Sequence, residues 1–158
     1  MTVRNTLALL TAAFMCSCSG NSGSKSTSSD TLSGKQDAAM AAIQCFAYQA
    51  QKDSAFLHLE INSGIVSGKL SYALFEKDRN DGTIAGTMSG DTIFARYTFS
   101  SEGSQSVREV AFLKSGTDWV EGFGDAKDSA GVMVFTDRSG LDFEKGLHFK
   151  PVECPAAP

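Results

Sequence analysis

Short segments that alternate between apolar and polar residues fill the chain between Cys45 and Cys154. In one of them Leu57, Leu59 and Ile61 share a face, which is typical of a half-buried strand. Gly, Asn, Asp and Ser turns separate these segments, and no long helical pattern intervenes. The pattern predicts an all-β fold, a small antiparallel up-and-down β-barrel of about eight strands, with a Greek-key β-sandwich as the alternative.

Three two-residue turns set the register of the central hairpins. They lie at 90–91, 102–103 and 116–117, and hairpin length decides which residues face each other. Counting from these turns places Arg108 opposite both Tyr97 and Asp125. The same count puts Phe112 opposite Glu121 and Val110 opposite Phe123, and on the other face Arg96 opposite Glu109. We expect the first of these faces to be interior because it holds the large apolar side chains Met88, Ile93, Phe112, Trp119 and Phe123.

Arg108 falls on this apolar face, inside the barrel or at its mouth, near Tyr97, Asp125 and Glu121. A buried guanidinium needs a partner. An internal ion pair with Asp125 is one interpretation, and recognition of an anionic ligand head group is the other. The predicted ligand-binding residues are Tyr97, Arg108, Phe112, Trp119, Phe123 and Asp125. A one-residue slip in register would make Arg96 and Glu109 the internal pair instead.

The sequence does not decide whether the barrel has an internal cavity. An eight-stranded barrel is either filled by its own side chains or holds one small ligand. Gly68, and Gly86 opposite Ala95, leave space in one interpretation and permit sharp bending of the strands in the other.

The first 17 residues have the features of a secretory signal peptide. Arg4 precedes an apolar stretch at 7–15 that is too short to span a bilayer. The following Cys16-Ser17-Cys18 resembles a bacterial lipobox, and Cys18 is the predicted lipidation site because a small residue precedes it; Cys16 is the alternative. Residues 18–43 are then a lipidated flexible tether, with a short helix over 35–43 as an alternative, and residues 44–158 form the barrel domain.

Cys45 and Cys154 remain as an even pair once the other two cysteines are assigned. In an oxidising compartment we expect them to form a disulfide. Two free thiols, or metal ligands, are the alternatives.

Composition and motifs exclude several classes of function. Loss of Arg4 with the signal leaves 13 basic and 18 acidic side chains, so nucleic acid is not expected as a partner. His58 and His148 are the two histidines, and neither has a neighbour at metal-ligand spacing. No Gly-x-Ser-x-Gly motif occurs. We predict no catalytic residue, metal or cofactor, and a protein that is not an enzyme.

The whole plan resembles the small calycin-type, lipocalin-like lipoproteins of Gram-negative bacteria. The likeness rests on the Ser-rich tether, the two terminal cysteines and the meander of strands, and on segments 72–80, 101–103 and 107–113. It implies anchoring by lipid in the cell envelope, at the outer membrane. Membrane-bound lysozyme inhibitors share this plan, but their Ser/Gly-rich inhibitory loop has no counterpart here.

Two functional hypotheses follow. In the first, the barrel binds a small amphiphilic or apolar ligand, with Arg108 and Tyr97 as polar anchors. In the second, the protein binds or inhibits another envelope protein through loops 77–82, 101–104 and 125–131. The first hypothesis predicts an internal cavity, and the second predicts a filled core.

Overall fold

The computed structural model describes residues 42–156, which fold as an all-β domain. Its strands are β1 Ala42–Ala50, β2 Asp53–Asn62, β3 Ile65–Ala73, β4 Asn80–Ser89, β5 Thr92–Ser101, β6 Ser104–Ser115, β7 Asp118–Gly122, β8 Ala126–Ser129, β9 Val132–Phe135 and β10 His148–Val152. Within this range, no helix is long and apolar enough to cross a bilayer.

Eight of these strands close into an antiparallel barrel. They follow the order β5-β4-β3-β2-β1-β10-β7-β6, and pairing of β5 with β6 closes the ring. Closure leaves these strands without a free edge. The predicted eight-stranded barrel is therefore confirmed, and the sandwich alternative is not observed.

The remaining two strands form a ribbon beside β6. Strand β9 pairs in parallel with the first half of β6, at Val107 and Arg108, and β8 pairs with β9. The sequence predicted a loop over 125–131, whereas β8 occupies most of it. The four side chains of β8 are all exposed, so no burial alternates along it and the sequence pattern carries no strand signal.

The register predicted from the turns is confirmed for the central hairpins. Tyr97 pairs with Arg108, and Phe112 pairs with Glu121. The ladder between β6 and β7 ends at Gly122, so the predicted pairings of Val110 with Phe123 and of Arg108 with Asp125 are wrong.

The ladder ends there because another segment covers the chain. The backbone of Phe123 exchanges hydrogen bonds with that of Asp142, at 3.0 and 2.8 Å. A Cβ on Gly122 would lie 2.5 Å from the ring of Phe143, and one on Gly124 would lie 2.7 Å from Leu141. The absence of a side chain at Gly122 and Gly124 lets segment 141–143 pack against them. The chain leaves the barrel wall at this point.

Large side chains fill the barrel axis. Trp119, Tyr97, Phe112 and Phe149 are all less than 2% exposed, and Phe149 packs edge-on against Phe112 with ring centroids 5.7 Å apart. The glycines of the strands do not open a cavity. A Cβ on Gly86 would lie 2.1 Å from the carbonyl oxygen of Phe94, so the small residue allows close approach of two strands.

A disulfide ties the two ends of the domain. Cys45 and Cys154 are bonded, with Cα atoms 5.1 Å apart, as predicted. Pro151 lies opposite Phe46 in the pairing of β10 with β1, past His148 and Phe149, the residues of β10 that pair with β7.

The N-terminal predictions lie mostly outside the described residues. These are the signal peptide at 1–17, lipidation at Cys18 or Cys16, and the tether up to residue 41. Strand β1 begins at Ala42 and so includes the last two residues that the sequence assigned to the tether.

Candidate functional site

Two clefts meet at one end of the barrel. The first, of about 310 Å³, lies where the β8–β9 ribbon diverges from β7, and Met133 and Phe135 line its outer side. The second, of about 260 Å³, lies at the barrel mouth beside Leu147 and the turn that follows β3. Arg108, Glu121 and Phe123 line both clefts. These three residues define the candidate site, which we call the mouth site.

Glu121 is the charged residue that the fold buries within 42–156. It is 3% exposed because its position opposite Phe112 turns its side chain into the barrel. The hydroxyl of Tyr72 donates a hydrogen bond to its Oε1 at 2.7 Å, and its Oε2 has no partner among the described residues. Burial raises the pKa of this carboxyl to about 7, against the opposing effects of the Tyr72 hydrogen bond and the Arg108 charge. Glu121 therefore holds a proton in mildly acidic solution.

The two tyrosines beside it are neutral groups. Burial, and then the charge of Glu121, raise the pKa of Tyr72 well above its ordinary value. Burial likewise raises the pKa of Tyr97, whose hydroxyl has no partner among the described residues. The ring of Tyr97 stacks on Phe99 at 4.7 Å. Tyr72 lines the second cleft, whereas Tyr97 lies in the core behind it.

Three aromatic rings surround the guanidinium of Arg108. Its Cζ lies 5.3 Å from the ring centroid of Tyr72, 5.5 Å from that of Tyr97 and 5.4 Å from that of Phe99. Such distances allow cation–π attraction. No carboxylate of residues 42–156 lies within 4.0 Å of Arg108. The positive charge is therefore fixed in position by aromatic rings and lacks a paired anion.

The structure places the predicted site residues unequally. Tyr97, Phe112 and Trp119 are buried in the interior, as expected. Phe123 was predicted to line the interior, which is wrong: it is 45% exposed and lines the clefts instead, because the chain leaves the barrel wall after Gly122. Asp125 is exposed and makes no ion pair, so the predicted internal pair with Arg108 is also wrong.

On the outer face, the sequence register holds but the partner differs. Arg96 lies opposite Glu109, as counted from the turns. Glu109 nevertheless forms its ion pair with Arg138, which lies in the segment after β9. Its other carboxylate oxygen accepts a hydrogen bond from the backbone of Phe135 at 3.0 Å.

Sequence reasoning missed the roles of Glu121 and Tyr72. Glu121 was placed opposite Phe112 but received no role, although an acidic residue on a predicted interior face is itself a signal. Tyr72 lies on the buried face of β3, as the alternation of that strand requires, but no local pattern shows its hydrogen bond to Glu121. No local pattern places Met133 and Phe135 at the site, because the parallel pairing of β9 with β6 is a long-range contact.

A third groove, of about 500 Å³, lies near the disulfide and is lined by Ile43, Pro151 and Val152. No buried charged side chain lines it, so it offers less chemistry than the mouth site. In the part of the chain that the structure describes, no group of three His, Cys, Asp or Glu residues is placed to hold a metal ion.

No protein family, curated protein or solved structure matches this chain. What the structure shows is the fold, a closed eight-stranded barrel whose ends are joined by a disulfide.

Proposed function

We propose that this protein is a non-enzymatic, lipid-anchored protein of the bacterial cell envelope, at the outer membrane, which binds a small amphiphile at the mouth of its barrel. The observation that carries the proposal is the guanidinium of Arg108, which faces two clefts without a paired carboxylate. Ligand sites typically place a few polar or charged groups in a mostly apolar cleft, and an unpaired guanidinium there is suited to that role.

The clefts supply the apolar part of such a site. Phe123, Met133 and Phe135 line the first cleft, and Leu147 and Leu74 line the second. Small-molecule sites combine a mostly apolar wall with a few fixed polar groups, and volumes near 300 Å³ lie at the lower end of their range. The ligand is accordingly small, with its polar end at Arg108 and its apolar end along Phe123.

The proposed ligand site lies at the barrel mouth and not inside the barrel, where the sequence predicted it. The barrel axis is filled by Trp119, Tyr97, Phe112 and Phe149. These side chains therefore pack the core and do not line a ligand cavity. The lipid anchor comes from the sequence around Cys18, and the calycin-like plan supports it.

The second hypothesis, a module that binds or inhibits another envelope protein, also has an observation in its favour. This second hypothesis predicts a filled core, and the barrel axis is filled by buried side chains. Phe75, in the turn after β3, is 50% exposed and is a candidate contact for a protein partner.

One experiment separates the two hypotheses. The full-length protein is purified gently from the envelope and studied by native mass spectrometry, and then titrated calorimetrically with decanoate, decanol and decyltrimethylammonium. A bound small molecule, or saturable 1:1 binding of one probe, supports the proposal.

Paired variants then locate the binding. Met133→Lys places a charge in the first cleft, whereas Ile65→Lys changes another exposed apolar residue, on β3, near the barrel end away from Tyr72. Binding lost in the first variant and kept in the second supports the mouth site. A ligand-free mass together with no heat from any probe would move the proposal to a protein partner.

A further inference from the structure

One acidic residue, Glu121, lines both clefts together with Arg108, and it is neutral in mildly acidic solution. Glu121 lines the same two clefts as Arg108, and the hydroxyl of Tyr72 bonds to it beneath the guanidinium. If Glu121 were ionised, it would attract Arg108 and compete with any anion from solution. Because burial favours the protonated carboxyl, the site as a whole carries a positive charge.

The nearby carboxylates do not neutralise this charge either. Glu109, next to Arg108 in sequence, lines the first cleft, but its carboxylate pairs with Arg138. Asp81 forms its ion pair with Arg79. Asp78 and Lys77 line the second cleft, but neither lies in an ion pair with Arg108.

We infer that Arg108, which lines two clefts without a paired carboxylate, binds the carboxylate of a small amphiphilic acid, and that Glu121, which lines the same two clefts, is its positioning residue. The inference rests on the proposed function and names its ligand class. Arg108 would touch the ligand, and Glu121 would act through Arg108 as a positioning residue.

The chemistry of the guanidinium favours a carboxylate. Its planar fork of N–H donors matches the two oxygens of a carboxylate in a bidentate pair. The three aromatic rings hold the fork in place, which lowers the entropy lost when a ligand binds. A cationic ligand would meet an uncompensated positive charge, and an alcohol would leave that charge unpaired.

Binding of such an acid is expected to depend on pH. When Glu121 ionises above neutrality, it becomes an internal competitor for Arg108. The groups that face it are Tyr72 from β3, Tyr97 from β5 and Arg108 from β6. Lys77 and Asp78 line the second cleft, and Glu109, which is paired with Arg138, lines the first. His148 on β10 lies opposite Val120, the neighbour of Glu121, and is exposed on the outer face.

The test is calorimetry on the full-length, oxidised protein with decanoate, decanol and decyltrimethylammonium at about pH 6 and about pH 8.5. Decanoate should bind at least about tenfold more tightly than decanol at the lower pH, as expected for a charged hydrogen-bonded pair. Raising the pH should weaken decanoate binding by about tenfold, with no such change for decanol.

Variants assign these effects to residues. Glu121→Gln should keep the tight binding of decanoate at both pH values, and His148→Gln should leave the pH dependence in place. Arg108→Met should remove the preference for decanoate over decanol, whereas Arg96→Met, on the exposed outer face, should not.

Equal binding of decanoate and decanol to the unmodified protein would overturn the inference and leave the proposed function standing. The inference would also be overturned if decanoate binding to the Glu121→Gln variant weakened at high pH as much as binding to the unmodified protein. Binding of none of the three probes would instead overturn the proposed function itself.

Discussion

Replacement of Glu121 by Gln isolates the energetic effect of the buried carboxyl. In the folded protein the pKa of Glu121 is raised from 4.5 to about 7, chiefly by burial. Between these two pH values the folded chain retains a proton that the unfolded chain has released. The free energy of unfolding therefore falls as the pH rises through this window, and the loss is complete above the folded pKa.

The pKa values set the size of the effect. A rise from 4.5 to about 7 corresponds to about 3 kcal/mol of lost stability at high pH. Gln has no proton to release, and its side-chain oxygen still accepts the hydrogen bond from Tyr72. The stability of the Gln variant relative to the unmodified protein should therefore rise by about 3 kcal/mol from about pH 4 to about pH 8.5.

Urea unfolding followed by tryptophan fluorescence measures this difference. Trp119 is the single tryptophan and is 1% exposed, so its emission reports on the core. Any constant offset from the added amide cancels, because the test is how the difference between the two proteins changes with pH. Glu144→Gln, at an exposed carboxyl, is the matched control and should show no such change. A difference that stays flat across the range would refute the assignment of Glu121 as a buried, protonated acid.

Three further predictions concern the fold, each measured by the same urea unfolding. Loss of the disulfide in Cys45→Ala/Cys154→Ala should cost about 4 to 5 kcal/mol, because the bond closes a loop of 109 residues; equal stability would mean that the bond adds nothing to the folded state. Gly86→Ala should cost about 2 kcal/mol or more, since its Cβ would lie 2.1 Å from the carbonyl oxygen of Phe94, whereas Ser89→Ala at an exposed position should be nearly neutral. Phe149→Ala should cost about 3 to 5 kcal/mol, because it removes a ring that is fully buried against Phe112, and a loss below about 1 kcal/mol would contradict the filled barrel axis.

The barrel was predictable because the patterns that specify it, alternation within strands and short turns between them, are local in the sequence. Alternation in β2 and the two-residue turns at 90–91, 102–103 and 116–117 fixed both the strand faces and the register of four consecutive strands. Glu102 and Gly103 both adopt positive φ, as a tight hairpin turn of this kind requires. The pairing of Cys45 with Cys154 followed from the count of cysteines.

The mouth site was only partly predictable. Arg108 and Tyr97 were brought together by register alone, and the structure confirms that pairing. Asp125 and Phe123 were misplaced because counting assumed that the β6–β7 ladder continues past Gly122. It stops there because segment 141–143 packs against the glycines, a contact between residues far apart in sequence that no local pattern encodes.

The central claim is that a small amphiphilic acid binds at Arg108 and Glu121. A titration of ¹⁵N-labelled protein with decanoate at about pH 6, followed by amide chemical shifts, tests it residue by residue. We predict saturable shifts confined to the strands that border the mouth site, at Arg108, Glu121 and Met133. Shifts centred instead on Ile43 and Val152 beside the disulfide, or no saturable shift at all, would contradict the claim.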